Sequence, residues 1–363
     1  MINATRLKLD LLCKGIRMDE ELKKTLAPRY QYKRASLSEG RYFALYQGLQ
    51  KMTINLAVYE KFAEKSPYYF DHEKKALLYD GQKIIDMELI PDPEWYRKTL
   101  SDGTEFGSYI QLHSENILAT SLTNWCRFKA DKEDCKFCAI SIGPGYVPKV
   151  PEKMAQIVQQ VEKIGHYVEL NVNAGTVRGD DQGAEMYIRF FNEVRKVSQI
   201  PIAAQIAPPM DLQDINRLKD SGVSSISFNM EVWDPEKRQE IIPGKSQIPL
   251  DHYMAAFGHS IELFGRNSVT SWLIAGLESP ESTLEGARTL ASIGVIPFVT
   301  AFRPLIGSDL EDASPPEPET MVYIYDELKR ILLENDLNPA LGNSGCAKCN
   351  ACAAEEELLF AGV

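Results

Sequence analysis

The sequence predicts an α/β fold built on a partial parallel (β/α)6 barrel, with an N-terminal α+β extension and a cysteine-rich C-terminal tail. Two observations predict it. From Tyr109 onward, short β-branched or apolar runs alternate with longer helical stretches, which is the βα rhythm. The 363 residues are 44% hydrophobic and 25% charged, values typical of a globular chain with a sizeable core. We divide the chain into residues 1–110 (extension), 111–310 (barrel) and 311–363 (helix and tail).

The N-terminal extension mixes helical and extended patterns. Helices are predicted at residues 20–26 and 44–65, and an extended pair at residues 76–86 with a turn at Asp80-Gly81. Residues 1–20 lack the uninterrupted apolar stretch of a secretory signal, and no run of about 18 apolar residues predicts a membrane span. We therefore expect a cytoplasmic, reducing compartment in which cysteines stay free of disulfides.

The barrel strands follow one another in chain order. They are predicted at residues 116–122, 167–172, 201–207, 225–231, 269–275 and 295–302, with helices such as 151–164 and 183–198 between them. A Pro-rich acidic stretch, residues 308–319, leads to a helix at 321–335 and then to the tail. Chemistry in such barrels gathers where the parallel strands end.

Seven cysteines are the most informative residues. Cys126, Cys135 and Cys138 form a C-x8-C-x2-C set just past the first predicted strand, and Cys346, Cys349 and Cys352 form a C-x2-C-x2-C run. Three thiolates suit a cubane iron–sulfur cluster with one open iron, whereas a closed zinc site wants four protein ligands. The pattern predicts two metal centres. Zinc remains an alternative for the first set, because C-x2-C is also half of a zinc knuckle, although no His follows within the loop.

The first cysteine set, with Phe137 between its last two members and βα units downstream, resembles the radical S-adenosylmethionine (SAM) superfamily. The resemblance implies that the three cysteines hold a catalytic [4Fe–4S] cluster whose open iron chelates the amino and carboxylate groups of SAM. Cleavage of SAM then releases a 5′-deoxyadenosyl radical that abstracts hydrogen from an unactivated carbon. The sequence departs from the commonest spacing, because the first gap has eight residues, 127–134, instead of three.

Residues at later strand ends are similar to the SAM-binding positions of that superfamily. The resemblance implies that Asn173, Gly175 and Thr176 form the turn that binds the SAM amino group. Glu231 would contact the amine or the ribose, and Arg238 would pair with the carboxylate in the bidentate way that guanidinium favours. The alternatives are an ordinary turn and a solvated pair at a helix start. For Arg303, contact with an anionic substrate and cover of the barrel rim stay open.

The C-terminal run is ferredoxin-like in spacing, and each gap between its cysteines contains a small residue, Ala347 or Ala351. We expect a second [4Fe–4S] cluster there, with Cys13 as its fourth ligand and Ser344 as a weaker substitute. The alternatives are a zinc site or a purely structural cluster, with Cys13 as a buried thiol of an apolar stretch.

The overall layout resembles one component of the two-protein lipoyl synthase system. This implies a sulfurtransferase that inserts sulfur from the auxiliary cluster into a protein-bound octanoyl chain. The implied partners are an octanoylated lipoyl-carrier protein or domain, a sister radical SAM protein and reduced ferredoxin or flavodoxin. The chain lacks the N-terminal C-x4-C-x5-C motif and the C-terminal Arg-Ser-Ser-Tyr motif of the single-protein lipoyl synthase.

Two other functions stay open. The second cluster could relay electrons in the oxidation of a peptide or small molecule, or the chain could be an iron–sulfur cluster carrier or scaffold. A net charge of −11 disfavours nucleic acid as a partner, because phosphate binding depends on clustered Lys and Arg.

Overall fold

The computed structural model describes residues 3–26, 40–48, 50–140, 147–355 and 357. In this part of the chain the strands form two sheets, one of six strands in the N-terminal extension and one of seven strands that forms the barrel. The first sheet has the order β1-β4-β5-β6-β2-β3. Its elements are α1 (Ala4–Lys14), β1 (Arg17–Met18), α2 (Glu20–Leu26), β2 (Arg41–Gln47), β3 (Gln50–Leu56), β4 (Tyr68–Asp71), β5 (Ala76–Tyr79) and β6 (Gln82–Leu89).

The second sheet is the predicted partial barrel. Its order β13-β12-β11-β10-β9-β8-β7 follows the chain, and every pair from β8 to β13 is parallel. The short strand β7 pairs antiparallel with β8 and forms one edge of this sheet. The strands are β7 (Gln111–His113), β8 (Ile117–Ser121), β9 (Glu169–Asn173), β10 (Ile202–Gln205), β11 (Val223–Ser227), β12 (Val269–Ala275) and β13 (Ile296–Ala301). The fold class and all six parallel strands are confirmed.

Helices connect the parallel strands and cover the outside of the barrel. In α4 (Pro151–Glu162), the buried residues Met154, Ile157, Val158 and Val161 recur at the spacing of one helix face. The other helices are α3 (Arg127–Ala130), α5 (Ala184–Arg195), α6 (Gln213–Asp220), α7 (Pro235–Ile241), α8 (Pro243–Ser246), α9 (Leu250–Phe264), α10 (Pro280–Ser292), α11 (Pro318–Glu334) and α12 (Cys346–Cys349). None of the helices in the described ranges is long and apolar enough to cross a membrane.

The helix predicted at residues 44–65 is wrong. The structure has the antiparallel pair β2 and β3 there, in which Phe43 lies opposite Ile54, followed by a 3-10 turn at Lys61–Lys65. Buried and partly exposed positions alternate along parts of both strands, and Gly48 adopts a left-handed φ of 62° in the connecting turn. The extended pair predicted at residues 76–86 is confirmed as β5 and β6.

The tail enters the barrel from the end where the strands begin. Asn343 Nδ2 donates to Ser268 Oγ at 3.2 Å, and Gly345 N donates to Oε1 of Glu169, the first residue of β9, at 3.0 Å. The extension holds the tail from the other side. Asn55 N donates to Ala351 O at 2.8 Å, and the buried Lys8 Nζ donates to Asn350 O at 2.9 Å. The loop of the first cysteine set lies at the opposite end of the barrel, where β8 stops.

Glu355 links the tail to β13 by a hydrogen bond. Its raised pKa should make the stability of the protein depend on pH. Its Oε1 accepts from Val299 N at 2.8 Å, and burial raises the pKa of this carboxyl from 4.5 to about 8. Because the folded-state pKa is the higher one, the stabilisation is fully present below pH 4.5 and is lost as pH rises through 8.

We expect Glu355→Gln to remove this dependence, since the glutamine amide keeps the acceptor and cannot ionise. Urea unfolding at several pH values should show the wild type losing on the order of 1 kcal/mol per pH unit relative to the variant between these two pKa values. Parallel curves for the two proteins would show that Glu355 does not titrate in this range.

Candidate active site: two cysteine triads on one cavity

The first triad, Cys126, Cys135 and Cys138, lies on the loop that follows β8. The end of β9 supports its first cysteine, because Gly175 N donates to Thr123 O at 2.9 Å and Arg127 N donates to Thr176 O at 2.7 Å. A Cβ atom on Gly175 would lie 2.1 Å from the Trp125 carbonyl oxygen. Only glycine permits this close approach of the two backbones.

The eight-residue gap between Cys126 and Cys135 has a structural purpose. It forms the short helix α3 and a turn that docks on α7 and α8, with Gly244 N donating to Glu133 O at 3.0 Å and Lys136 N donating to Ile241 O at 2.9 Å. A Cβ atom on Gly244 would lie 2.3 Å from the Phe128 ring. The long loop is therefore fixed between the end of β9 and the α7–α8 segment.

Phe137 points into a small apolar cluster at the mouth of the barrel. Together with Cys135 it packs against a buried set made of Val232, Ile241, Ile242, Ile274, Leu277 and Phe302. Both residues also line the central cavity. The aromatic side chain thus adds an apolar surface beside the triad on the side of β11 to β13.

Glu231 and Lys245 form a buried ion pair beside the first triad. Lys245 Nζ lies 2.7 Å from each Glu231 carboxylate oxygen and 3.2 Å from Asn229 O. Burial alone would lower the pKa of Lys245, but the Glu231 carboxylate raises it above its ordinary value. Both side chains line the cavity, so the pair presents one fixed anion and one fixed cation to a bound molecule.

Arg238 contacts the backbone on either side of Glu231, and its pairing with a bound carboxylate stays a prediction. Its Nη1 donates to Val232 O at 2.9 Å and to Met230 O at 3.2 Å, and it is not among the residues that line the cavity. These two carbonyls flank Glu231, which adopts a left-handed φ of 64°. Arg238 therefore holds the strained backbone that aims the Glu231 carboxylate, and Lys245 supplies the cation.

The second triad, Cys346, Cys349 and Cys352, lies inside the barrel on α12 and the turn after it. Two positive φ values bracket the helix, 108° at Gly345 and 51° at Asn350. Asn171 Nδ2 donates to Cys346 Sγ at 3.3 Å, and Gln205 Nε2 donates to the same sulfur at 3.0 Å. The tail thus places its first cysteine against the inner faces of β9 and β10.

A single cavity of about 280 Å³ joins the two triads. All six of their cysteines line it, with the first set at the mouth and the second set toward the end where the strands begin. Inward-facing polar residues line the space between them: Thr120, Asn171, Asn173, Gln205, Asn229 and Thr300. A molecule in this cavity contacts the surroundings of both triads.

Cys13 lies away from this cavity. It is 4% exposed, sits on α1 within the main apolar core and is not among the residues that line the cavity. Ser344 is also buried and precedes the second triad by two residues, and its Oγ has no hydrogen-bond partner among the described residues. The arrangement does not favour Cys13 as a fourth ligand, and that assignment stays a prediction.

The donor sets fit iron–sulfur clusters. All six cysteines are free, and burial raises the pKa of Cys138, Cys346, Cys349 and Cys352 to about 12. These thiols are therefore protonated near neutral pH without a metal, and they lose their protons when a metal centre binds. Among the described residues, no three His, Cys, Asp or Glu side chains are grouped as they would be around one metal ion. The sulfur atoms of each triad line the cavity, and soft sulfur ligands suit a cluster of several irons.

The structure brings most of the predicted site residues together. Asn173, Gly175, Thr176, Phe137 and Glu231 line the same cavity as the cysteines, and so does Arg303. Arg303 Nη1 donates to Asn55 Oδ1 at 2.8 Å, which links the end of β13 to the extension. Sequence reasoning missed Lys245, Asn171 and Gln205. The one available signal was the polar residue at alternate positions of β9 and at the end of β10.

The sequence is similar to known proteins. A family model for the radical SAM superfamily matches residues 120–312. The bacteriochlorophyllide c C-7(1)-hydroxylase of Chlorobaculum limnaeum is 33% identical over 277 residues, which cover 70% of this chain and 69% of that protein.

Two solved structures are also similar. For the [FeFe]-hydrogenase maturase HydG from Carboxydothermus hydrogenoformans the identity is 19% and the TM-score 0.47, over 61% of this chain and 52% of that chain. The present chain thus spans about half the length of that maturase. For methylornithine synthase (PylB) the identity is 15% and the TM-score 0.45, over 64% of this chain and 72% of that chain.

The buried ion pair at the mouth yields a stability prediction. We expect Lys245→Met to lower the free energy of unfolding by about 3 kcal/mol, because it leaves the Glu231 carboxylate buried without its cation. The double variant Glu231→Gln with Lys245→Met should be more stable than this single variant, since no charge is then left unpaired. Denaturant unfolding of Lys245→Met, of Glu231→Gln and of the double variant measures both effects. Losses that simply add in the double variant would show that the two side chains do not interact.

Proposed function

The chain belongs to the radical SAM superfamily, and from this premise we propose that it oxidises an unactivated carbon of a small substrate bound in the barrel cavity, most simply by hydroxylation. The relative from Chlorobaculum limnaeum supports this class of reaction, since its name describes a hydroxylase. The substrate of the present chain is an organic molecule that fits between the two triads.

The observation that carries the proposal is the shared cavity. Three cysteines at its mouth suit the cluster that binds SAM, and three more at its far end suit a second cluster. A substrate between them is in reach of both a hydrogen-abstracting group and an electron acceptor. A reaction in which the substrate radical gives up no electron would need only the hydrogen-abstracting group at the first triad.

The balance of the reaction explains the need for an acceptor. Cys126, Cys135 and Cys138 would hold the first cluster, which with SAM would supply a 5′-deoxyadenosyl radical able to take a hydrogen atom from the substrate. Overall, substrate R–H, SAM and water give R–OH, methionine, 5′-deoxyadenosine and a proton. One electron enters to cleave SAM and one leaves the substrate, so the electron that leaves needs a destination. The second triad supplies ligands for a redox centre at that position.

Protein side chains position the reactants. The Glu231 carboxylate and the Lys245 ammonium offer complementary partners for the amino and carboxylate groups of SAM. Gly175 and Thr176 lie beside Cys126, where backbone groups can contact the same ligand. Phe137 and its apolar neighbours exclude water around the first triad, and the amides of Asn171 and Gln205 contact the far side of the substrate space.

Sulfur insertion is a second candidate. Because Cys346, Cys349 and Cys352 line the cavity directly, a substrate carbon could reach a sulfide of a cluster held there, which sulfur donation requires and electron relay does not. If the chain inserts sulfur, its partners are the octanoylated carrier, the sister radical SAM protein and a ferredoxin or flavodoxin. Hydroxylation also needs the ferredoxin or flavodoxin. The comparisons lend no support to the lipoyl synthase resemblance, so we rank it second.

We expect iron counting to separate the two centres. Anaerobic reconstitution of the wild type should give about eight irons per chain, and the variant with Cys346, Cys349 and Cys352 changed to Ala about four. That variant should still release 5′-deoxyadenosine from SAM under reducing conditions but form no oxidised product. The matched variant with Cys126, Cys135 and Cys138 changed to Ala should also hold about four irons and lose SAM cleavage.

About four irons in the wild type and in the C-terminal variant would remove the second cluster from the proposal. Binding of iron and sulfide with no SAM cleavage by the wild type would instead favour a carrier or scaffold.

The two chemistries differ in the atom that the product gains. We expect product formed in water enriched in oxygen-18 to carry the label, while the sulfide content of the protein stays constant through turnover. Bacteriochlorophyllide c and an octanoylated carrier domain are the two substrates to try first, with mass spectrometry of each. Unlabelled product that contains sulfur, formed as sulfide is lost from the protein, would overturn hydroxylation in favour of sulfur insertion.

A further inference from the structure

Two amide side chains converge on the sulfur of Cys346. Gln205 Nε2 approaches Sγ to 3.0 Å and Asn171 Nδ2 approaches it to 3.3 Å, both within the range of a hydrogen bond to sulfur. Both amides come from barrel strands and not from the tail that carries the cysteine. The barrel strands therefore provide two hydrogen-bond donors to this one sulfur atom.

A chain of hydrogen bonds across three strands fixes the direction of these amides. Ser227 Oγ donates to Asn229 Oδ1 at 2.5 Å, which is the shorter of its two contacts with acceptors, since Thr270 O lies at 3.1 Å. Asn229 Nδ2 donates to Gln205 Oε1 at 3.4 Å. Gln205 Nε2 also donates to Asn171 Oδ1 at 3.0 Å. Because both amide oxygens accept hydrogen bonds in this chain, both amide nitrogens face the Cys346 sulfur.

Hydrogen bonds of this kind have a known effect on a metal-bound thiolate. Reduction of a cluster adds negative charge, part of which is carried by the cysteine sulfurs. An N–H donor stabilises that charge and so raises the reduction potential. Hydrogen bonds to charged acceptors are also stronger than those between neutral groups.

We propose that Asn171 and Gln205 are positioning residues of the second centre, which orient the Cys346 sulfur and raise the reduction potential of a cluster bound there. This rests on the proposed function, since the second cluster belongs to it. Both residues also line the cavity, so the sulfur they hold lies on the side of the centre that faces the substrate. A raised potential favours the transfer of an electron from the substrate to this centre.

The test uses the full chain with Cys126, Cys135 and Cys138 changed to Ala, so that the C-terminal triad alone holds a cluster. Gln205→Met removes the donor while keeping the length of the side chain and its neutrality. Redox titration followed by electron paramagnetic resonance should show a lower potential, with the ratio of reduced to oxidised cluster at a fixed potential falling about tenfold. Gln205→Glu, which also adds a negative charge, should lower it further.

Asn171→Leu is an independent variant, and we expect a smaller shift in the same direction because its donor is the more distant one. The control is Gln156→Met, the same exchange at an exposed position on α4, which should leave the potential unchanged.

An unchanged potential in Gln205→Met and Asn171→Leu, at an undiminished count of about four irons, would overturn the inference while the second cluster stands. Absence of any iron–sulfur cluster from the background variant would overturn the proposed second centre, and this inference with it. The two failures are therefore distinguishable.

Discussion

Six cysteines that face one cavity are the constraint on which the rest of the structure depends. The interior of a parallel barrel is normally filled with branched apolar side chains. Here β9 to β11 and the residues just after them place amide side chains inside the barrel, at Asn171, Asn173, Gln205 and Asn229. These amides line a cavity that is large enough for a ligand. The tail takes the place of core side chains at one end of the barrel, and the loop of the first triad lies at the other end.

The segments that carry the cysteines are held by backbone contacts and paired charges. Two glycines, Gly175 and Gly244, let the first loop dock against β9 and α8 without a gap. The left-handed backbone of Glu231 is held by Arg238, and its carboxylate is neutralised by Lys245. Because the Glu231 carboxylate is paired with the Lys245 ammonium, no unpaired charge of these two residues is left beside the first triad.

The sequence predicted the barrel because each βα unit carries a local signal that tertiary packing does not overrule. Residues 44–65 were misread because two strands with mixed burial resemble a helical pattern when the turn at Gly48 is overlooked. The spacing of Arg238 along its helix set its distance from Glu231 but not its direction, so its role as a support for the backbone could not be predicted. The sequence does not predict the role of Lys245, because a lysine within a short helix such as α8 carries no signal of an ion pair with Glu231. Cys13 was assigned by counting ligands, which says nothing about where a helix packs.

The placement of two metal centres at the two ends of one cavity is the central claim. Anaerobic crystals of the reconstituted protein, measured at the iron absorption edge, test it most directly. Two separate iron peaks should appear, one against Cys126, Cys135 and Cys138 and one against Cys346, Cys349 and Cys352, with the cavity between them. A single peak at the first triad, with the C-terminal cysteines free of iron, would contradict the claim and leave a radical enzyme with one cluster.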